Sequence, residues 1–342
     1  MEIKIEMPNI GDGDAIIVHL KRGLEDLVVL IDGGNAKDAD KVIQKLDPIL
    51  TKTGKSGPDL VICTHYDSDH IGGLKKIAQH YQNKIGTVWV HKPNIEDLQK
   101  TISTSNDLLQ HRKSEEVNAL KQLFLLEENY SSFQNVLLES YNDMAEFVDF
   151  LINTSIPTIE PFTGCQYPGW EEVIMVLGPS ESFYKTLLPN LKNSKSQIGE
   201  QLLYESFVNK PRGMKTLMMM GFPCQTLDKT PKAQVTTVNQ SSIIISIVVN
   251  RNKFLFTGDA AINSFKEIPG YPDTIKDIFW LKVAHHGSRN NSSSELFNIM
   301  RPKYAFVSGD RHIDQEVIDC LKEKSVNVKT TRDDNDLSFK YP

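Results

Sequence analysis

A chain of 342 residues with 39% hydrophobic content is long enough for one large domain or two small ones, and for a sizeable buried core. Its net charge of −6 excludes a nucleic-acid reading that rests on a globally basic surface; such a reading needs a local basic groove. The longest apolar candidate, Ile243 to Val249, is strand-sized and falls well short of the roughly 18 residues of a membrane span.

In chain order, Met1 to Met7 alternates apolar and charged residues, predicting an edge strand with no signal-peptide core. Asp14 to Leu20 and Asp26 to Gly34 predict two strands joined in a hairpin near Lys21-Arg22-Gly23. A helix from about Asp38 to Thr53 leads into a short buried strand, Asp59 to Cys63. The stretch Thr64-His65-Tyr66-Asp67-Ser68-Asp69-His70-Ile71-Gly72-Gly73 follows, and a helix is expected from Leu74 to Tyr81. His65, Asp67, Asp69 and His70 thus place four candidate metal ligands at a strand's carboxyl end, where loops converge side chains without disturbing the core. Imidazole and carboxylate suit divalent ions such as zinc and manganese, and the absence of cysteine from the cluster argues against a closed structural zinc site.

Thr87 to Val90 predicts a further strand. From about Asn94 to Ser155 the pattern turns helical, and no glycine or proline occurs across Ile95 to Ile156. Residues 94–156 are therefore read as a helical insertion that packs as scaffold, with docking of a protein partner or a second copy as the alternative. The strand Glu172 to Leu177 precedes a polar stretch, 182–236, with the Met-rich patch Leu217-Met218-Met219-Met220, read as an insertion or lid. The remainder predicts strands at Ser242 to Val249, Lys253 to Thr257, Trp280 to Ala284 and Tyr304 to Ser308. A helix over about Gln315 to Lys324 and a strand near Asn327 to Thr330 close the chain. Two strand sets with helices between and outside them point to an α/β fold, a four-layer αββα sandwich of two similar halves in a single domain. Cys63, Cys165, Cys224 and Cys320 are scattered without CxxC pairing, as expected of buried free thiols in a reducing cytoplasm.

Two further polar clusters end apolar strands. Asp259 follows Phe256-Thr257-Gly258, where a glycine permits close backbone approach and a carboxylate could bridge two cations. His285-His286-Gly287-Ser288 follows Leu281 to Ala284; adjacent side chains need not face the same way, so one imidazole is expected to ligate and the other to meet substrate. His91, at the end of Thr87 to Val90, is a weaker candidate ligand.

The order His-x-Asp-x-Asp-His, Gly-Asp, His-His-Gly-Ser resembles the metallo-β-lactamase superfamily, and more narrowly the soluble domain of ComEC-type DNA-uptake proteins. Gly11 to Ala15, Ile31 to Gly34 and Asn239-Gln240-Ser241-Ser242 extend the resemblance, while 94–156 and 182–236 lie outside it. Asp67 stands where most of the superfamily has a second histidine, a substitution that ComEC-type members share and that hardens the site toward manganese. No histidine follows the strand ending at Leu177, where the superfamily usually supplies one, so one of the two cations is expected to be weakly held.

The resemblance implies a metal-dependent phosphodiester hydrolase, a nuclease on DNA or RNA, using two divalent ions (zinc or manganese) and a hydroxide bridging them. His65, Asp67, Asp69, His70, His285 and a bridging Asp259 would be ligands. Asp69 would orient the hydroxide, and His286 would contact phosphate or leaving group. Ser288, Asn239 and Ser241 would bind substrate, with Lys282, Arg289, Lys253 and Arg251 attracting phosphate. A small-molecule phosphodiesterase and a non-catalytic binding component of a larger assembly are the alternative readings. No membrane partner is expected.

Overall fold

The computed structural model describes residues 1–92, 143–191, 222–310 and 313–342. Two sheets lie face to face. One has seven strands in the order β13-β1-β2-β3-β4-β5-β6, and the other six in the order β12-β11-β10-β9-β8-β7. The first comprises β1 (Glu2–Met7), β2 (Ile16–Arg22), β3 (Glu25–Ile31), β4 (Leu60–Ile62), β5 (Thr87–Trp89), β6 (Thr158–Ile159) and β13 (Leu337–Tyr341). The second comprises β7 (Ile174–Gly178), β8 (Ile244–Val249), β9 (Asn252–Phe256), β10 (Ile278–Lys282), β11 (Tyr304–Val307) and β12 (Asn327–Thr330).

Each half repeats one plan. The β2–β3 hairpin runs into parallel β4, β5 and β6, and the β8–β9 hairpin into parallel β10, β11 and β12. The helices α1 (Ala39–Thr53), α2 (Ser68–Ile71) and α3 (Leu74–Tyr81) belong to the first half, and Ser294–Met300 and Gln315–Glu323 to the second.

Three apolar layers hold these sheets. The faces of β2 to β5 that carry Ile17, Leu30 and Val61 pack on Val42 and Leu46 of α1 and Ile77 of α3. The opposite faces meet the second sheet through Trp89, Phe254, Phe256 and Trp280, and its far face packs on Phe297, Val317 and Leu321. Alternation along each strand sends successive side chains into different layers, which is why the strands read as nearly continuous apolar runs. The expected αββα sandwich is the architecture found.

Three expectations change. Residues Met1 to Met7 do not form an edge strand, because β13 pairs antiparallel with β1 and covers it. Beyond the expected strand ending at Thr330 the chain adds one more, β13, whose Leu337 is buried between the sheets. Cys224 and Cys320 are not free thiols but form a disulfide joining the helix Pro223–Lys229 to Gln315–Glu323; Cys63 and Cys165 are free. Most of the two insertions lies outside the described residues, as does the Met-rich patch. From the helical insertion, Met144, Phe147, Val148 and Leu151 pack into the α1–α3 layer, so this part is scaffold. Among the described residues, no helix is long and apolar enough to cross a membrane.

Candidate metal centre

The carboxyl ends of β3, β4, β9 and β10 meet at one rim, and each delivers a polar residue there. Backbone bonds tie the loops together: Asp14 N donates to Asp69 O at 2.9 Å, and Gly33 N to His70 O at 2.8 Å. Gly73 lies so close to the β3 loop that a Cβ there would sit 2.1 Å from Gly33 O. Gly258, at φ +50°, lets the β9 loop pass Thr64 and Ser242. Ser242 Oγ in turn accepts from Asp259 N at 3.0 Å, setting the carboxylate's backbone.

Asp259, 1% exposed, occupies the middle. Its Oδ2 lies 3.7 Å from His65 Nε2 and 3.6 Å from His285 Nε2, and Asp67 Oδ2 is 3.6 Å from that same His65 nitrogen. Its Oδ1 faces the other way, 3.3 Å from His70 Nε2, where Asp69 Oδ2 is 3.9 Å from His70 Nε2 and 3.1 Å from His286 Nε2. Two donor sets therefore flank one carboxylate: His65, Asp67 and His285 on one side, Asp69, His70 and His286 on the other. Such a set of imidazoles and carboxylates fits borderline to hard divalent ions.

Each imidazole is fixed through Nδ1, which leaves Nε2 facing the centre. Thr64 Oγ1 donates to Asp32 Oδ2 at 2.6 Å, so toward His65 Nδ1, 3.1 Å away, it can only accept. His70 Nδ1 donates to Asp32 Oδ2 at 2.8 Å. Asn291 Nδ2 donates to Asp259 O at 2.8 Å, so its Oδ1 accepts from His285 Nδ1 at 2.9 Å. Ser308 Oγ lies 3.4 Å from His286 Nδ1. Hydrogen bonding at one ring nitrogen selects the tautomer whose other nitrogen can ligate. Among the described residues, His65 Nε2, His70 Nε2 and Asp259 Oδ1 are buried without hydrogen-bond partners, an arrangement costing roughly 1–3 kcal/mol per atom unless a ligand satisfies it. The residues present fit divalent metal binding.

The tandem histidines depart from expectation. An extended backbone would send them to opposite faces. Instead His285 (φ 49°), His286 (φ 50°) and Gly287 (φ 75°) are all left-handed, and the resulting turn points both rings inward. A left-handed non-glycine residue costs on the order of 1–3 kcal/mol, strain of the kind concentrated at functional sites. His286 is 1% exposed and faces Asp69, so it joins a donor set rather than standing ready for substrate. His285 supplies an imidazole on the Asp67 side, where, among the described residues, none following the β7 strand does so.

Most other candidates are engaged by neighbouring groups. His91 donates from Nε2 to Pro161 O at 2.7 Å and stacks on Phe162, so it is not a ligand. Ser288 Oγ caps the following turn at Asn290 N, and Ser241 Oγ donates to Val238 O at 2.6 Å; both hydroxyls serve local turns. Asn239 is buried, and its Oδ1 has no hydrogen-bond partner among the described residues. Lys282 is fully buried against Asp14, and Arg289 is held by Asp314 and Glu316. Lys253 bonds Thr274 O near the start of β9, and Arg251 sits in the β8–β9 turn, at the end of the strand away from Asp259. Conversely, Asp14, Asp32 and Asn291 went unassigned in the sequence, although Asp14 and Asp32 sit beside glycines in Gly-Asp and Asp-Gly pairs like the one that flagged Asp259.

The metallo-beta-lactamase superfamily model matches residues 11–135. Over that stretch the chain is similar to the metallo-beta-lactamase superfamily. It is similar to ComE operon protein 3 of Bacillus subtilis (strain 168), 27% identical over 109 residues, which is 30% of this chain and 14% of that one. The chain therefore spans only about a seventh of the length of that relative. A Thermotoga maritima crystal structure, provisionally described as a metallo-beta-lactamase, aligns over 76% of this chain and 79% of its own at 13% identity and TM-score 0.31.

Electrostatics of this centre would tie the uptake of a metal to protons. Burial would push the His70 imidazolium down, but Asp259, then Asp69 and Asp32, lift it well above its usual value. The metal-free centre thus favours a proton on His70, which a cation binding at its Nε2 would displace. Metal affinity is expected to rise with pH, and calorimetric binding heats to change with the ionisation enthalpy of the buffer; heats independent of buffer would contradict this.

His91 gives the opposite sign. Burial holds it down to about 4, outweighing the bond to Pro161 O, so the fold favours its neutral form. Its contribution is complete above the unfolded value near 6.5 and is lost as pH falls from there toward 4, about 3 kcal/mol in all. Denaturant titrations at pH 7 and pH 4 are expected to show a smaller acid loss in His91→Gln than in the natural chain.

Proposed function

We propose that this protein is a metal-dependent phosphodiester hydrolase, most specifically a nuclease on DNA or RNA, acting in the cytoplasm. The observation that carries the reading is the division of Asp259, one oxygen toward His65 and His285 and the other toward His70. Bound divalent ions, zinc or manganese, would supply Lewis acidity and water of lowered pKa. The chain's own residues hold the geometry: Asp32 and Asn291 orient His70 and His285, and Ser242 sets Asp259. Asp69, 30% exposed, reaches solvent while bonded to His286, so it can accept a proton or orient a nucleophile at the open side.

A small phosphodiester is the second substrate reading. It gains support from the engagement of Lys282, Lys253 and Arg289 elsewhere, which leaves none of these three cations to attract a polyanion at the rim. The Cys224–Cys320 bond is the point of tension with a cytoplasmic setting, since such bonds are rare in reducing compartments. Purified protein should be incubated with linear and circular DNA, single-stranded RNA and a generic phosphodiester, with manganese or zinc, beside Asp69→Ala and His70→Ala. Cleavage lost in both variants supports the reading, and cleavage surviving both sinks the site. No turnover with any metal would favour a binding component.

A further inference from the structure

Lys282 is the most deeply buried cation near the centre, with 0% exposure, and it appears in no donor set. Its Nζ lies 2.5 Å from Asp14 Oδ2, and Asp14 Oδ2 is 3.9 Å from His70 Nδ1. Asp14, Asp32 and His70 form a third group with spacing that could hold an ion, behind the two donor sets. The ammonium group of Lys282 sits against that group. Burial would discharge it, but Asp14 and then Asp259 outweigh burial and hold it protonated.

We propose that Lys282 is a positioning residue, a built-in cation that fills the rear group of Asp14, Asp32 and His70 and offsets part of the negative charge that would draw metal to the centre. The inference rests on the metal reading above for its second half only, since charge compensation by Lys282 operates with or without metal. A buried ion left without its partner is strongly destabilising, so the pair must act as a unit.

The test is a double-mutant cycle on full-length protein, Lys282→Met, Asp14→Asn and both together, melted metal-free and with manganese, with manganese affinity measured by calorimetry. Lys282→Met should lower the metal-free melting temperature more than the manganese-loaded one, and tighten manganese binding by about tenfold, the scale of changes just outside a ligand set. Asp14→Asn should weaken manganese binding by a similar factor, and the double variant should return toward the natural chain in both respects. Should Lys282→Met fail to fold, the Asp14→Asn and double variants still give the sign and its reversal. Equal losses with and without manganese, or a double variant no better than the worse single one, would overturn the proposal. If the natural chain binds no manganese, the metal reading fails, while the metal-free cycle still decides whether Lys282 and Asp14 are coupled.

Discussion

Asp259→Asn is expected to abolish the two-ion state and lower hydrolysis by at least about 10²- to 10³-fold, the scale of removing a principal electrostatic group. The amide keeps the volume and leaves the backbone bond from Asp259 N to Ser242 Oγ in place. What it removes is the negative charge that lies within 3.7 Å of three imidazole nitrogens. Burial opposes ionisation of Asp259, but His70, then His285, hold it well below the usual carboxylate range. In the metal-free protein the same substitution removes the negative charge that His70 and His285 favour, so the melting temperature should also fall, and metal stoichiometry is the deciding readout. Elemental analysis after manganese loading should give two ions per chain for the natural protein and at most one for the variant. A variant that keeps two ions would show that Asp259 is not shared.

Asp32→Asn is expected to weaken metal binding by about 10- to 100-fold, although Asp32 is not itself placed in either donor set. Its Oδ1 accepts from Thr64 N at 2.7 Å, and its Oδ2 from Thr64 Oγ1 at 2.6 Å and His70 Nδ1 at 2.8 Å. An amide cannot satisfy all three. If its NH₂ faces His70, the ring must move its proton to Nε2, which then cannot ligate; if it faces Thr64 N, two donors oppose each other. Asp32 is left-handed at φ 58°, a conformation asparagine tolerates, so the loss is not a backbone effect. Calorimetric manganese titration reads the affinity, and a denaturant titration should show about 2–3 kcal/mol of lost stability, the scale of a hydrogen bond to a charged group. Unchanged affinity would remove Asp32 from the account.

The two donor sets show what sequence could and could not give. His65, Asp67, Asp69 and His70 were legible because they follow an apolar run and precede Gly72-Gly73, so their position at a strand end could be read locally. Asp259 was legible for the same reason after β9. The facing of His285 and His286 was not, because it depends on three successive left-handed residues that residue types do not announce outside glycine. Asp14 and Asn291 were missed because their partners are 56 and 32 residues away along the chain, respectively His70 and Asp259, and only the closed sandwich brings them together. Basic residues failed in the opposite way: Lys282 looks like a phosphate-attracting charge in sequence, and its burial against Asp14 is a consequence of tertiary packing alone. The β13 strand was lost because Leu337-Ser338-Phe339-Lys340-Tyr341 acquires its pairing from β1, at the opposite end of the chain.

The most direct test of the centre is a crystal structure of the manganese-soaked protein with anomalous scattering collected for manganese. Two peaks are expected, one against His65, Asp67 and His285 and the other against Asp69, His70 and His286, with Asp259 reaching both. A single peak, or rings of His285 and His286 turned away from the peaks, would contradict it.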